Sequence, residues 1–197
     1  MSYDNRSVMQ AELVVRIARI ATRLVPDGFG VDLRFINSSF AKNCTRDEME
    51  AAVRSVGPSG STNLGTSLRS RILQPLVYDV LARGEKLTRP LLICTITDGD
   101  PNPEHESTFK NAIVECKQKI VDAGYEPVAV RFLVSQIGND PSAYAFLKGL
   151  GEDQEISDVL YCTSSRLDDD LKQFKGNEKR LDEWLLKTLT QPIMSSD

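Results

Sequence analysis

The chain has 197 residues, with 24 Lys and Arg against 28 Asp and Glu, for a formal charge of −4. Hydrophobic residues make up 41% and charged residues 26%, the proportions of a globular domain, which excludes a chain disordered throughout. Scattered charge and an acidic isoelectric point near 5.2 leave no basic footprint for nucleic acid or an anionic membrane.

The length fits one larger domain that buries roughly 70% of its unfolded surface, so no disulfide or metal is needed to support the core. No run of about 18 apolar residues occurs, so no membrane-spanning helix is expected. The single histidine, His105, and four cysteines outside any C-x-x-C pair argue against a Cys/His zinc site. They also remove most histidine-based nucleophile dyads. Cys94 and Cys116 lie in apolar stretches and are expected to be buried, reduced thiols.

Asp4 or Asn5 can cap a first helix whose apolar face is Val14, Ile17, Ala21 and Leu24, and Pro26-Asp27-Gly28 stops it. The apolar stretch from Leu13 to Ile20 is interrupted by Arg16 and Arg19 at helical spacing and does not read as a signal peptide. A cytoplasmic location is the resulting expectation. Val31 to Ile36 alternates like a strand, and Arg46 to Val56 reads as a short helix through Met49, Ala52, Val53 and Val56. A turn-rich loop from Gly57 to Gly65 opens a helix over about Thr66 to Arg83, which Pro75 should kink.

Leu91 to Thr97 is a continuous apolar run, as expected of a strand covered on both faces. It ends in Asp98-Gly99-Asp100-Pro101-Asn102-Pro103. The following helix carries Phe109, Ile113, Cys116 and Ile120 on one stripe, with Gly124 at its C-terminal end. Val128 to Val134 is a strand, Pro141 to Leu150 a helix, Val159 to Cys162 a short strand, and Leu181 to Leu189 a last helix with Trp184 and Leu185 inward. Strands and helices alternate without repeat or linker. The expectation is one α/β domain over residues 1–190, a doubly wound, mostly parallel sheet with helices on both faces, and a short tail at 191–197. Sites in such sheets lie beyond the C-terminal ends of the strands.

Two loops are placed there, Gly60–Gly65 and the Asp98 loop. Gly60-Ser61-Thr62-Asn63-Leu64-Gly65-Thr66-Ser67 has P-loop glycine spacing, but Thr66 stands where the phosphate-binding lysine belongs and no apolar strand leads into it. Asp98-Gly99-Asp100 after an apolar strand also matches the Asp-x-Asp of haloacid dehalogenase phosphatases, in which one carboxylate attacks phosphorus and the other moves the proton. Pro101 departs from that pattern, and the partners Lys148 and Asp168-Asp169 follow only by free choice.

Taken together, Gly60-Ser61-Thr62-Asn63-Leu64-Gly65-Thr66-Ser67-Leu68 and Leu91-Leu92-Ile93-Cys94-Thr95-Ile96-Thr97-Asp98-Gly99 resemble the von Willebrand factor A (vWA) domain. That family pairs a G-G-T-x-x-x-x-A-L loop with a strand ending in T-D-G. Val31 to Phe35 resembles the family's second strand. Ile137-Gly138-Asn139-Asp140 with Ala143 to Leu150 resembles the loop and helix after its fifth. The resemblance implies a non-enzymatic protein-interaction module with a metal-ion-dependent adhesion site. It assigns Thr62 and Asp98 as ligands of Mg²⁺ or Mn²⁺, with a partner's acidic side chain completing the shell. Asn63, Asp100 and Asn102 would form a partner-facing rim. A hard cation that takes about six oxygens and retains waters suits a hydroxyl and a carboxylate at neighbouring strand ends.

The family's Asp-x-Ser-x-Ser motif, at the end of its first, central strand, does not occur in this chain. Met1 is followed directly by the first helix, so the domain is expected to lack that strand and to begin just after the motif. Asp4 and Ser7 do not have the spacing to replace it. The resulting expectations are metal affinity no better than about millimolar and unpaired strand edges that favour self-association. Three alternatives stand beside this reading: a Mg²⁺-dependent phosphohydrolase using Asp98 and Asp100, a metal-independent vWA scaffold, and purely local roles. In the last, Asp98 shapes a turn, Thr62 caps a helix, His105 is a surface residue, and Asp168-Asp169-Asp170 is a solvated helix start.

Overall fold

The computed structural model describes residues 3–24, 30–38, 41–56, 60–174 and 176–194. The expected turns at Pro26-Asp27-Gly28 and Gly57-Pro58-Ser59 lie outside these residues. A helix, α1 (Tyr3–Leu24), leads to two short strands, β1 (Val31–Arg34) and β2 (Ala41–Cys44), and to α2 (Arg46–Ser55). Helices α3 (Leu64–Ser67) and α4 (Asp79–Ala82) flank a continuous π-helical stretch, Leu68–Tyr78. Then follow β3 (Leu91–Thr97), α5 (Ser107–Asp122), β4 (Val130–Gln136), α6 (Pro141–Gly151), β5 (Leu160–Cys162), α7 (Leu167–Gln173) and α8 (Glu178–Met194). No described helix is long and apolar enough to cross a membrane.

The strands form two sheets instead of the single one expected. β3, β4 and β5 make a parallel sheet in that order, with Leu91 opposite Val130 and Phe132 opposite Leu160. β1 and β2 pair antiparallel by themselves, with Val31 opposite Cys44. β2 had no counterpart in the sequence reading, because Ala41-Lys42-Asn43-Cys44 carries neither alternation nor a β-branched run.

Each face of the parallel sheet has its own apolar cluster. Leu64, Leu68, Phe109, Ile113, Cys116 and Phe146 pack on one face with Ile93, Phe132 and Val134. Leu13, Ile20, Leu181, Leu185 and Leu189 pack on the other with Leu133, and Leu92 and Ile96 join them. The period of two along β3 produces this division, since neighbouring residues point to opposite faces. Trp184 joins the second cluster and lies 6.0 Å from the Phe174 ring, centroid to centroid, a packing residue as its helical position implied.

Two local expectations need correction. Cys94, expected to be buried, is exposed; β3 is at the edge of its sheet, with no strand on its other side among the described residues. Pro75 lies inside the π-helical stretch. Proline removes one backbone hydrogen bond from any helix and clashes with the preceding α turn, and the departure from α geometry lies around the residue expected to disturb this helix. The last helix continues through Met194, into the stretch expected to be a tail.

Candidate functional site

The loop from Gly60 to Asn63 and the loop from Asp98 to Glu106 meet at the C-terminal end of β3. Gly60 turns with φ of +85°, which favours glycine, and the chain then enters α3. Thr62 donates its N–H to the Asn102 carbonyl at 2.9 Å, a direct backbone tie between the two loops. Leu64 N–H bonds the Thr62 carbonyl at 2.9 Å, and Asn63 Nδ2 reaches Ser61 Oγ at 3.2 Å. α3 sits closely on the start of α5. A Cβ at Gly65 would lie 2.5 Å from the backbone of Thr108 and Phe109, so only glycine allows this approach.

Glu104 completes the junction. Its carboxylate accepts the Gly65 N–H, the Thr66 N–H at 3.1 Å and the Thr66 hydroxyl at 2.8 Å. These are N–H groups that a helix start leaves without intrahelical partners, and a carboxylate there is favoured by both hydrogen bonding and the peptide dipoles. Nothing in the local sequence marks Glu104 as a cap. An acid inside a Pro-rich loop does not by itself distinguish a cap from a solvated side chain, and its partners lie 38 and 39 residues away.

The strand end is organised locally. Thr97, buried at 2% exposure, donates its hydroxyl to the Gly99 carbonyl at 2.8 Å, and Asn102 N–H bonds the Asp100 carbonyl at 2.8 Å. This leaves Asp98 exposed, Thr62 and Asp100 half-buried, and Asn102 exposed. Asp100, Asn102, Glu104, His105 and Glu106 line an open cleft of about 440 Å³ beside them. His105 is exposed, and its Nδ1 accepts the Ser107 N–H at 3.2 Å at the start of α5, a local role at the surface.

Thr62 and Asp98 therefore stand on two loops that are tied together. They offer a hydroxyl and a carboxylate, hard oxygens of the type Mg²⁺ takes, but with a single negative charge. Among the described residues no three His, Cys, Asp or Glu side chains are grouped so as to hold a metal ion. Two such oxygens are fewer than the six or so that a hard cation takes. Lys148 and Asp168, the free choices of the phosphatase reading, are engaged elsewhere: Lys148 with Glu152 at 3.9 Å and Asp168 with Gly138 and Lys172.

Asp168 also corrects the expected solvated helix start. It is 7% exposed and accepts the Gly138 N–H at 3.0 Å, pinning the loop after β4 to the start of α7. Burial raises its carboxyl pKa, but Lys172 Nζ at 3.1 Å and the Gly138 N–H outweigh that, and the net shift is downward. Three consecutive aspartates read alike in a sequence, and packing against the Gly138 turn selects one of them.

Comparison with known proteins adds no relative: no family model, curated protein or solved structure matches this chain.

Proposed function

We propose that the chain is a vWA-type interaction module whose partner-facing end is built from the Thr62 loop and the Asp98 loop. The observation that supports this most is the contact between those loops. The hydrogen bond from Thr62 N–H to the Asn102 carbonyl, with Glu104 across Gly65 and Thr66, joins the two segments on which the resemblance rests. In this reading Thr62 supplies a hydroxyl and Asp98 a carboxylate to Mg²⁺ or Mn²⁺. The cation supplies a positive centre for a partner's acidic side chain, and Asn63, Asp100 and Asn102 form the rim. The chemistry is binding without turnover.

Calorimetric titration of Mn²⁺ and Mg²⁺ tests it, using the chain, Asp98→Ala, and a version extended at its N-terminus by a strand carrying Asp-x-Ser-x-Ser. The expected result is binding no tighter than about millimolar by the chain, loss of that binding in Asp98→Ala, and tighter binding by the extended version. Asp98 is exposed, so Asp98→Ala should move stability by less than about 0.5 kcal/mol. Binding that survives Asp98→Ala defeats the metal assignment. Mg²⁺-dependent turnover of a phosphate ester defeats the non-enzymatic reading.

A further inference from the structure

The two loops of the candidate site are not held alike. The start of α3 is fixed by packing: Leu64 is 2% exposed in the apolar cluster of Phe109, and Gly65 lies against the backbone of Thr108 and Phe109. The opposite loop has less beneath it. Between Asp98 and Glu106 only Pro101 is buried, while Asp98, Asn102, Pro103, His105 and Glu106 are exposed. The bonds from Thr97 Oγ1 to the Gly99 carbonyl and from Asn102 N–H to the Asp100 carbonyl are local to that segment.

Two ties join the exposed loop to the fixed side. One is the Thr62 N–H on the Asn102 carbonyl. The other is Glu104, whose Oε1 accepts the Gly65 N–H and whose Oε2 accepts the Thr66 N–H and hydroxyl. A single hydrogen bond lets one segment pivot on the other, whereas two ties at separate residues of both loops fix their relative orientation. The Glu104 tie is the stronger, since three donors meet an ionised acceptor. Those donors also set Glu104 apart from Thr62 and Asp98, because both of its oxygens are committed to the start of α3.

We propose that Glu104 is the positioning residue of the cation site: it holds the Asp98 loop in place against the Thr62 loop and is not itself a ligand. The proposal rests on the assignment of Thr62 and Asp98 made above, and adds the group that keeps the two together. Residues that orient a metal's ligands typically change its affinity by about 10–100-fold when replaced. Two conservative variants separate a brace from a ligand. Glu104→Gln keeps the length and an oxygen acceptor but loses the charge, whereas Glu104→Asp keeps the charge and is one methylene shorter. A brace depends on reach, and a cation ligand depends on charge.

The test compares the full chain with Glu104→Gln, Glu104→Asp and Glu104→Ala by residue-resolved amide exchange and by Mn²⁺ titration, read as paramagnetic broadening of the Gly99 amide beside Asp98. The Thr62 amide is diagnostic, because its acceptor is the Asn102 carbonyl and not Glu104. In Glu104→Asp and Glu104→Ala that amide should exchange at least about tenfold faster, and Mn²⁺ should bind at least about tenfold more weakly. Glu104→Gln should stay within about threefold of the wild type in both. An unchanged Thr62 amide in the Asp and Ala variants overturns the proposal, since Glu104 would then be only a local cap of α3. So does a loss of Mn²⁺ in Glu104→Gln as large as in Glu104→Asp, or a Phe132 amide that accelerates as much as that of Thr62. If the wild-type chain takes no Mn²⁺, the metal assignment falls by itself, and the exchange pattern alone decides whether Glu104 orders the two loops.

Discussion

β3 and β4 are neighbours in one sheet, each seven residues long, yet their environments are opposite. β4 is buried at every position but Arg131, although it includes Ser135 and Gln136. β3 is the more uniformly apolar of the two and leaves Cys94, its middle residue, exposed. The polar groups of β4 are accommodated by partners: Gln136 Nε2 donates to the Asp140 carbonyl at 2.9 Å, and Arg131 donates to the Pro192 carbonyl. Burial in this sheet follows from having strands on both sides, and composition alone ranks the two strands in the wrong order.

The largest test of that contrast is truncation. Phe132→Ala in β4 should cost about 3–5 kcal/mol, whereas Leu92→Ala at the open edge should cost about 1–2 kcal/mol. Urea unfolding measures both, and equal losses would break the comparison. A second test addresses the turn after β4. Asp168→Ala removes the acceptor for the Gly138 N–H and should cost about 2 kcal/mol. Because the folded Asp168 carboxyl titrates below the usual 3.8, its contribution is complete above that value and is lost as pH falls through the lower, folded one. An acid titration of stability that is steeper in the wild type than in Asp168→Asn would support this assignment.

The corresponding tie after β3 is Glu104. Glu104→Ala should cost about 1 kcal/mol and should speed exchange of the Gly65 and Thr66 amides, with Glu104→Gln giving a smaller change. A last effect, visible only at alkaline pH, concerns the helix that covers this sheet. Burial raises the Cys116 thiol from 9.0 to about 12. The stability contributed by keeping it protonated is present below pH 9.0 and declines as pH rises toward 12. Alkaline unfolding curves should show a shallower decline in Cys116→Ala than in the wild type.

The parts of the fold legible in the sequence are those with a local signal. The apolar run of Leu91–Thr97 and the stripe of Phe109, Ile113, Cys116 and Ile120 identify a strand and a helix, and both occur. β2 was not legible, since Ala41-Lys42-Asn43-Cys44 becomes a strand only through its ladder with β1. In the candidate site, the loops carrying Thr62 and Asp98 were legible from glycine spacing and from the strand that ends in Asp98. Glu104, which caps α3 from the second loop, was not, because a cap supplied from 38 residues away leaves no pattern of its own.

The sequence by itself determined the order and type of most main elements, because periodicity and turn residues act over a few positions, but not the buried face of α1, which is Leu13, Ile17 and Ile20 where the spacing predicts Val14, Ile17, Ala21 and Leu24. The tertiary structure alone decided that β3 is an edge, that Cys94 lies open within it, that Asp168 is the buried member of its run, and that Glu104 ties two loops. Each of these depends on a neighbour distant in the chain. Packing chooses that neighbour, while the local pattern specifies only that one face must be covered.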